Sequence, residues 1–149
     1  MNARTLYRIS AVVLVVFAAG HTVGFLRFRP PTPEGVAVFE AMNRTHFRVG
    51  HADFTYGSFY EGFGLFSSVY LLFCAFLSWQ FGNIAVRFPG DARAIAWGFF
   101  ALQAASLVLC VKYFFVPPVV LSTVMCVTTG WAALLVQRAA SSPATRDAT

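Results

Sequence analysis

Four long apolar stretches, Ile9 to Leu26, Phe54 to Phe81, Ala92 to Phe115 and Val119 to Val136, dominate the pattern of this chain, and most charged residues fall between or beyond them. Each stretch is long enough to cross a hydrocarbon core of roughly 30 Å as an α-helix. The pattern therefore predicts an all-α integral membrane four-helix bundle. Phe88-Pro89-Gly90-Asp91 reads as a turn followed by a helix cap, and Val116-Pro117-Pro118 as a second stop. Such short joints make consecutive spans antiparallel, which gives an up-down-up-down topology.

The connection from Arg27 to Asp53 is the long one. Its opening, Arg27-Phe28-Arg29-Pro30-Pro31, cannot continue a helix. Thr32-Pro33-Glu34 then has the grammar of a new start: a capping hydroxyl, proline at the first position and an acid in the first turn. With Val36, Phe39 and Met42 at helical spacing, a short amphipathic helix is predicted in this first connection, lying at the outer interface. Residues 1–140 make a single four-span membrane domain, and the polar stretch 141–149 is expected to be a disordered tail. Arg4 and Arg8 ahead of an apolar run ending in Ala18-Ala19-Gly20 resemble a secretory signal. The apolar character continues through Val23, Phe25 and Leu26, which favours a retained first span.

Composition agrees with this reading, since 58% hydrophobic, 17% aromatic and 11% charged residues leave too little polar surface for a water-soluble globule. The net charge of +5 does not indicate nucleic acid, because the arginines sit at the ends of the apolar runs, where they anchor a membrane protein. Arg4, Arg8, Arg87, Arg93, Arg138 and Arg146 fall on the side of the termini, against Arg27, Arg29, Arg44, Arg48 and Lys112 on the other. That balance places both termini in the cytoplasm. Trp79, Trp97 and Trp131 fall toward the termini side, as an interfacial belt would. Cys74, Cys110 and Cys126 all lie inside apolar spans and read as small hydrophobes.

Polar chemistry gathers toward the other end of the bundle. Gly20-His21-Thr22-Val23-Gly24 encloses a histidine in a frame of small residues, about five residues or roughly 8 Å inside the first span. Glu61 is the acid set well within an apolar run, roughly 10 Å from the same surface when measured from Phe54. Depth matching makes His21 its expected partner, because an unpaired carboxylate there costs several kcal/mol. Tyr56, Gly57, Ser58 and Tyr60 near Glu61, with Lys112 and Tyr113 at the end of the third span, complete an expected ligand-binding set lining an outward-opening pocket. The small residues would leave the void that the polar groups line.

Three functions fit these residues. The first is binding of a membrane lipid or lipophilic small molecule in an outer-leaflet pocket. The second is a membrane enzyme using Glu61 and His21 as acid and base on a lipid-soluble substrate. The third is a structural subunit, docked to a second copy or to a larger membrane complex. Structural glue between helices is the plain alternative for the His-Glu pair, and a snorkelling role for Lys112. His46 and His51, at i, i+5 spacing, read as loop residues rather than metal ligands. A haem held by His21 and His51 is disfavoured by their offset in depth, and no cofactor is identified. Nothing resembles a phosphate loop, a Ser-His-Asp set or a nucleotide fingerprint.

At Gly20-His21-x-x-Gly24, Phe59-Tyr60-x-Gly62-Phe63-Gly64 and Lys112-Tyr113-Phe114 the chain resembles a family of small bacterial four-span integral membrane proteins with no assigned function. The resemblance implies a four-helix membrane domain, with the bacterial inner membrane as its setting, and it supplies no activity. Length, basicity and span count also resemble the microsomal glutathione transferases and eicosanoid enzymes. Arg48-Val49-Gly50-His51-Ala52-Asp53 does not reproduce the arginine, histidine, asparagine and glutamate motif that those enzymes carry at their second span.

Overall fold

The computed structural model describes residues 1–142. Residues 143–149, where most of the expected disordered tail falls, lie outside the described residues. The elements in chain order are α1 (Ala3–Arg27), α2 (Pro33–Arg44), β1 (His46–Val49), β2 (Ala52–Thr55), α3 (Tyr56–Arg87), α4 (Pro89–Tyr113) and α5 (Val116–Ser141). Helices α1, α3, α4 and α5 are each long and apolar enough to cross a membrane. The chain has the all-α, four-span architecture of an integral membrane protein.

Helix ends follow local chemistry more than hydropathy. Asn2 caps α1 by accepting from the Thr5 N–H at 2.9 Å, so the helix starts ahead of the apolar run and buries Leu6 and Tyr7. Pro89 takes the first position of α4, behind Phe88, which makes no side-chain cap bond. Asp91 is therefore a first-turn acid and not the expected cap. Pro117 and Pro118 likewise sit inside the first turn of α5 rather than before it.

The described residues fall into two compact units, to both of which α1 and α3 contribute. The first holds Met1–Phe17 and the chain from Leu72 onward. Its core joins Ala3, Leu6 and Tyr7 of α1, Phe81 and Ala85 of α3, Ala92 and Ala96 of α4, and Ala132, Ala133 and Val136 of α5. Helix starts thus meet helix ends, as antiparallel neighbours require. Alanines at the contacts let backbones approach closely, and hydroxyls tie them: Ser78 Oγ donates to the Tyr7 carbonyl at 2.8 Å, and the Ser10 and Thr128 hydroxyls lie 2.7 Å apart. All three cysteines are free, and Cys110 Sγ accepts from Ser122 at 3.2 Å.

The second unit is Ala18–Leu71. The predicted amphipathic helix is present as α2, with Thr32 accepting from the Gly35 N–H at 3.1 Å and Pro33 at its first position. An antiparallel hairpin follows that hydropathy did not reveal, in register His46 opposite Thr55 and Val49 opposite Ala52. Its two-residue loop puts Gly50, at φ 62°, in the first central position, where a type II′ turn needs a glycine. Phe54 and Thr55 therefore belong to β2 and not to the second span. Thr55 and Ser58 then cap α3 reciprocally: the Ser58 N–H donates to Thr55 Oγ1 at 3.0 Å, and the Thr55 N–H to Ser58 Oγ at 3.1 Å.

Candidate functional site

The second unit gathers the C-terminal part of α1, α2, the hairpin and the first turns of α3. His21 is half-buried, and its Nε2–H donates to the Gly64 carbonyl at 3.0 Å. An acceptor that can only accept assigns the ring proton to Nε2. One residue on, the Thr22 hydroxyl lies 2.7 Å from that of buried Ser68. Phe25, a turn beyond His21, stacks on the imidazole at 5.8 Å between centroids and meets the Tyr60 ring at a tilt at 5.2 Å. The Phe25 ring tip occupies the space a side chain at Gly64 would need. Helices α1 and α3 are therefore held here by one ring seated on a glycine, flanked by two polar contacts.

The expected pair of His21 and Glu61 does not form. Glu61 is exposed and makes no side-chain hydrogen bond or ion pair with any described residue. Azimuth decides contact here. Glu61 sits three residues before Gly64, which turns it about 60° away around the helix. A main-chain carbonyl on the facing side satisfies the histidine first.

The expected void is also filled. Gly57 is buried under Asn43, whose side chain and Cα occupy the place of a Cβ, just as Phe25 does at Gly64. Small residues here close the helices tightly instead of opening a cavity. Ser58 is spent in the cap. Tyr56 packs on Phe47 of the hairpin at 4.9 Å, and Phe47 also meets Phe54 and Phe59 at 5.9 and 5.7 Å. Lys112 and Tyr113 belong to the first unit, where Nζ lies 5.2 Å from the Tyr113 ring centre and both side chains are exposed.

From Phe59 to Tyr70 every residue of α3 but Gly64 and Ser68 is exposed. Within that surface Ser58, Glu61, Gly62, Leu65 and Val69 share one side at helical spacing, and nothing lies within 4 Å of a Cβ built on Gly62. Phe25, Asn43, Phe47 and Thr22 were not anticipated as parts of this region. Phe25 was legible in principle, four residues after His21 and so on its face. In the hairpin, His46 Nδ1 lies 3.1 Å from Asp53 Oδ2, exposed on the surface. Among the described residues no group of three His, Cys, Asp or Glu side chains converges as a metal site would. No protein-family model, curated protein or solved structure matches the chain.

Proposed function

We propose that this chain is an accessory subunit of a membrane complex, docking through the Ser58, Glu61, Gly62 and Leu65 stripe of α3 onto a membrane-spanning helix of another protein. The observation that carries the reading is Glu61 itself. It is an acid about five residues inside α3, an apolar helix of 32 residues, exposed, with no side-chain partner among the described residues. Facing hydrocarbon, such a group costs several kcal/mol. A partner helix bringing a basic residue or hydrogen-bond donor to that level removes the cost, and the bare Gly62 lets the two backbones approach.

A small lipophilic ligand is the weaker occupant, since it needs a concave site, and the hollows at Gly57 and Gly64 are taken by the chain's own Asn43 and Phe25. An acid-base role for His21 and Glu61 lacks the contact it needs. A second copy related by a two-fold axis through this stripe would bring Glu61 against Glu61, which like charges oppose. We place both termini in the cytoplasm on the balance of arginines between the two sides, and take the bacterial inner membrane from the family resemblance.

The test is a photo-crosslinking amino acid at Leu65 in native membranes, compared with the same probe at Val108 on α4. Docking predicts a single adduct of fixed mass at Leu65, to a protein other than this chain, that disappears with Glu61→Ala. An adduct indifferent to Glu61, or one only to lipid, sinks the proposal.

A further inference from the structure

Two buried side-chain atoms of the first unit find no hydrogen-bond partner among the described residues, Arg4 Nε and Tyr7 Oη. Both residues lie on one face of α1, three positions apart. That face presses on α3, where a Cβ built on Gly82 would meet the Arg4 carbonyl at 3.3 Å and Tyr7 Cβ at 3.2 Å. Aromatic side chains on helices lean toward the helix start, which turns the Tyr7 phenol back toward the level of Arg4. The ring is walled by Phe81 of α3, edge-on at 5.0 Å, and by Phe99 of α4 at 6.3 Å, and Tyr7 has no exposed surface.

Counting hydrogens decides what can join the two atoms. Arg4 Nε only donates, and the Tyr7 hydroxyl has a hydrogen of its own to place. A bridging water brings two more, so whichever way it turns at least two hydrogens lack an acceptor, in a core whose side chains include Ala3, Leu6, Phe81 and Ala85. An anion accepts from both groups and brings none. The charge of the unit favours one: its described residues hold Arg4, Arg8, Arg87, Arg93, Arg138 and Lys112 against Asp91, and the ion pairs found among the described residues involve none of them. Closure of both atoms from solvent selects a small, singly charged ion, which is less costly to dehydrate than a sulfate or phosphate. We propose that a chloride ion is bound between the Arg4 Nε–H and the Tyr7 hydroxyl, inside the packing of α1 on α3. The site is separate from the Glu61 stripe, which belongs to the other unit.

Thermal melts of the full chain in neutral detergent test it, with sodium chloride replacing sodium gluconate stepwise at constant ionic strength. An ion that binds the folded state raises the melting temperature along a saturating curve, by a few degrees at full replacement. Tyr7→Phe, which keeps the ring against Phe81 and Phe99, and Arg4→Met, which keeps the stem and removes the donor, should each abolish most of that rise. Arg93→Gln removes the same charge from an exposed position of α4 and should leave it intact. In gluconate Tyr7→Phe should melt at or above the parent, because a hydroxyl without a partner is gone, and this separates a lost chloride response from a lost fold. No rise in the parent, a rise that both site variants share, or a rise that falls equally in Arg93→Gln overturns the site. A Tyr7→Phe variant that melts below the parent in gluconate would give the hydroxyl a partner within its own chain, and overturns it as well.

Discussion

His21 of α1 donates its Nε2–H to the Gly64 carbonyl of α3 across 3.0 Å, bridging two membrane-length helices through a main-chain acceptor. Interhelical hydrogen bonds in membranes contribute about 0.6 kcal/mol on average. His21→Leu should therefore lower the melting temperature in detergent slightly. In a double-mutant cycle with Glu61→Gln the two changes should add. A coupling above about 0.5 kcal/mol would mean that His21 and Glu61 interact after all.

Gly64 is bare because the Phe25 ring lies where its side chain would be. Gly64→Ala should destabilise by about 1–3 kcal/mol, since the ring must leave its contacts with His21 and Tyr60. Gly20 and Gly24 have open space around them. Alanine there should be neutral or stabilising by about 0.5–1 kcal/mol. Similar losses at all three glycines would argue for a closed small-residue seam along α1 instead.

Gly57 and Asn43 form the second close approach, between the end of α2 and the start of α3. Gly57→Ala should destabilise by about 1–3 kcal/mol, and adding Asn43→Ala should recover part of that loss. Thermal melts of the two single variants and the double variant decide it. No recovery would place the strain in the α3 backbone and not at Asn43.

The spans were legible because apolar runs of this length have few other uses, and α2 because Thr32-Pro33-Glu34 spells out a helix start. The hairpin was not. Its second strand ends in Phe54 and Thr55, which merge with the apolar run of α3, and His46 to Val49 is too short and mixed for a clear alternation. The turn signal was a single glycine, Gly50. The site failed for a different reason: spacing along a helix does not show which main-chain carbonyl a histidine will meet. Nor does it tell whether a glycine such as Gly64 leaves a hole or receives a ring.

Gly50 carries a positive φ of 62° in the hairpin loop, a conformation costly for residues with a Cβ. Gly50→Ala should loosen the pairing of β1 with β2 by about 1 kcal/mol. Amide exchange should quicken at residues 46–55 and stay unchanged in α4. Unaltered exchange in the hairpin would show that the aromatic packing of Phe47 fixes it without help from the turn.

The most direct measurement pairs complex mass with intrinsic stability for Glu61→Leu. An unsatisfied acid that a partner completes contributes nothing to the isolated chain, so the purified variant should melt at or above the parent's temperature. Extracted from native membranes in mild detergent, the parent should run in native mass spectrometry as a stoichiometric hetero-complex and the variant as the chain alone. A variant that melts several degrees lower would mean that Glu61 has an obligatory partner within its own chain. A parent found alone, or a complex that survives the substitution, would equally contradict docking through this face.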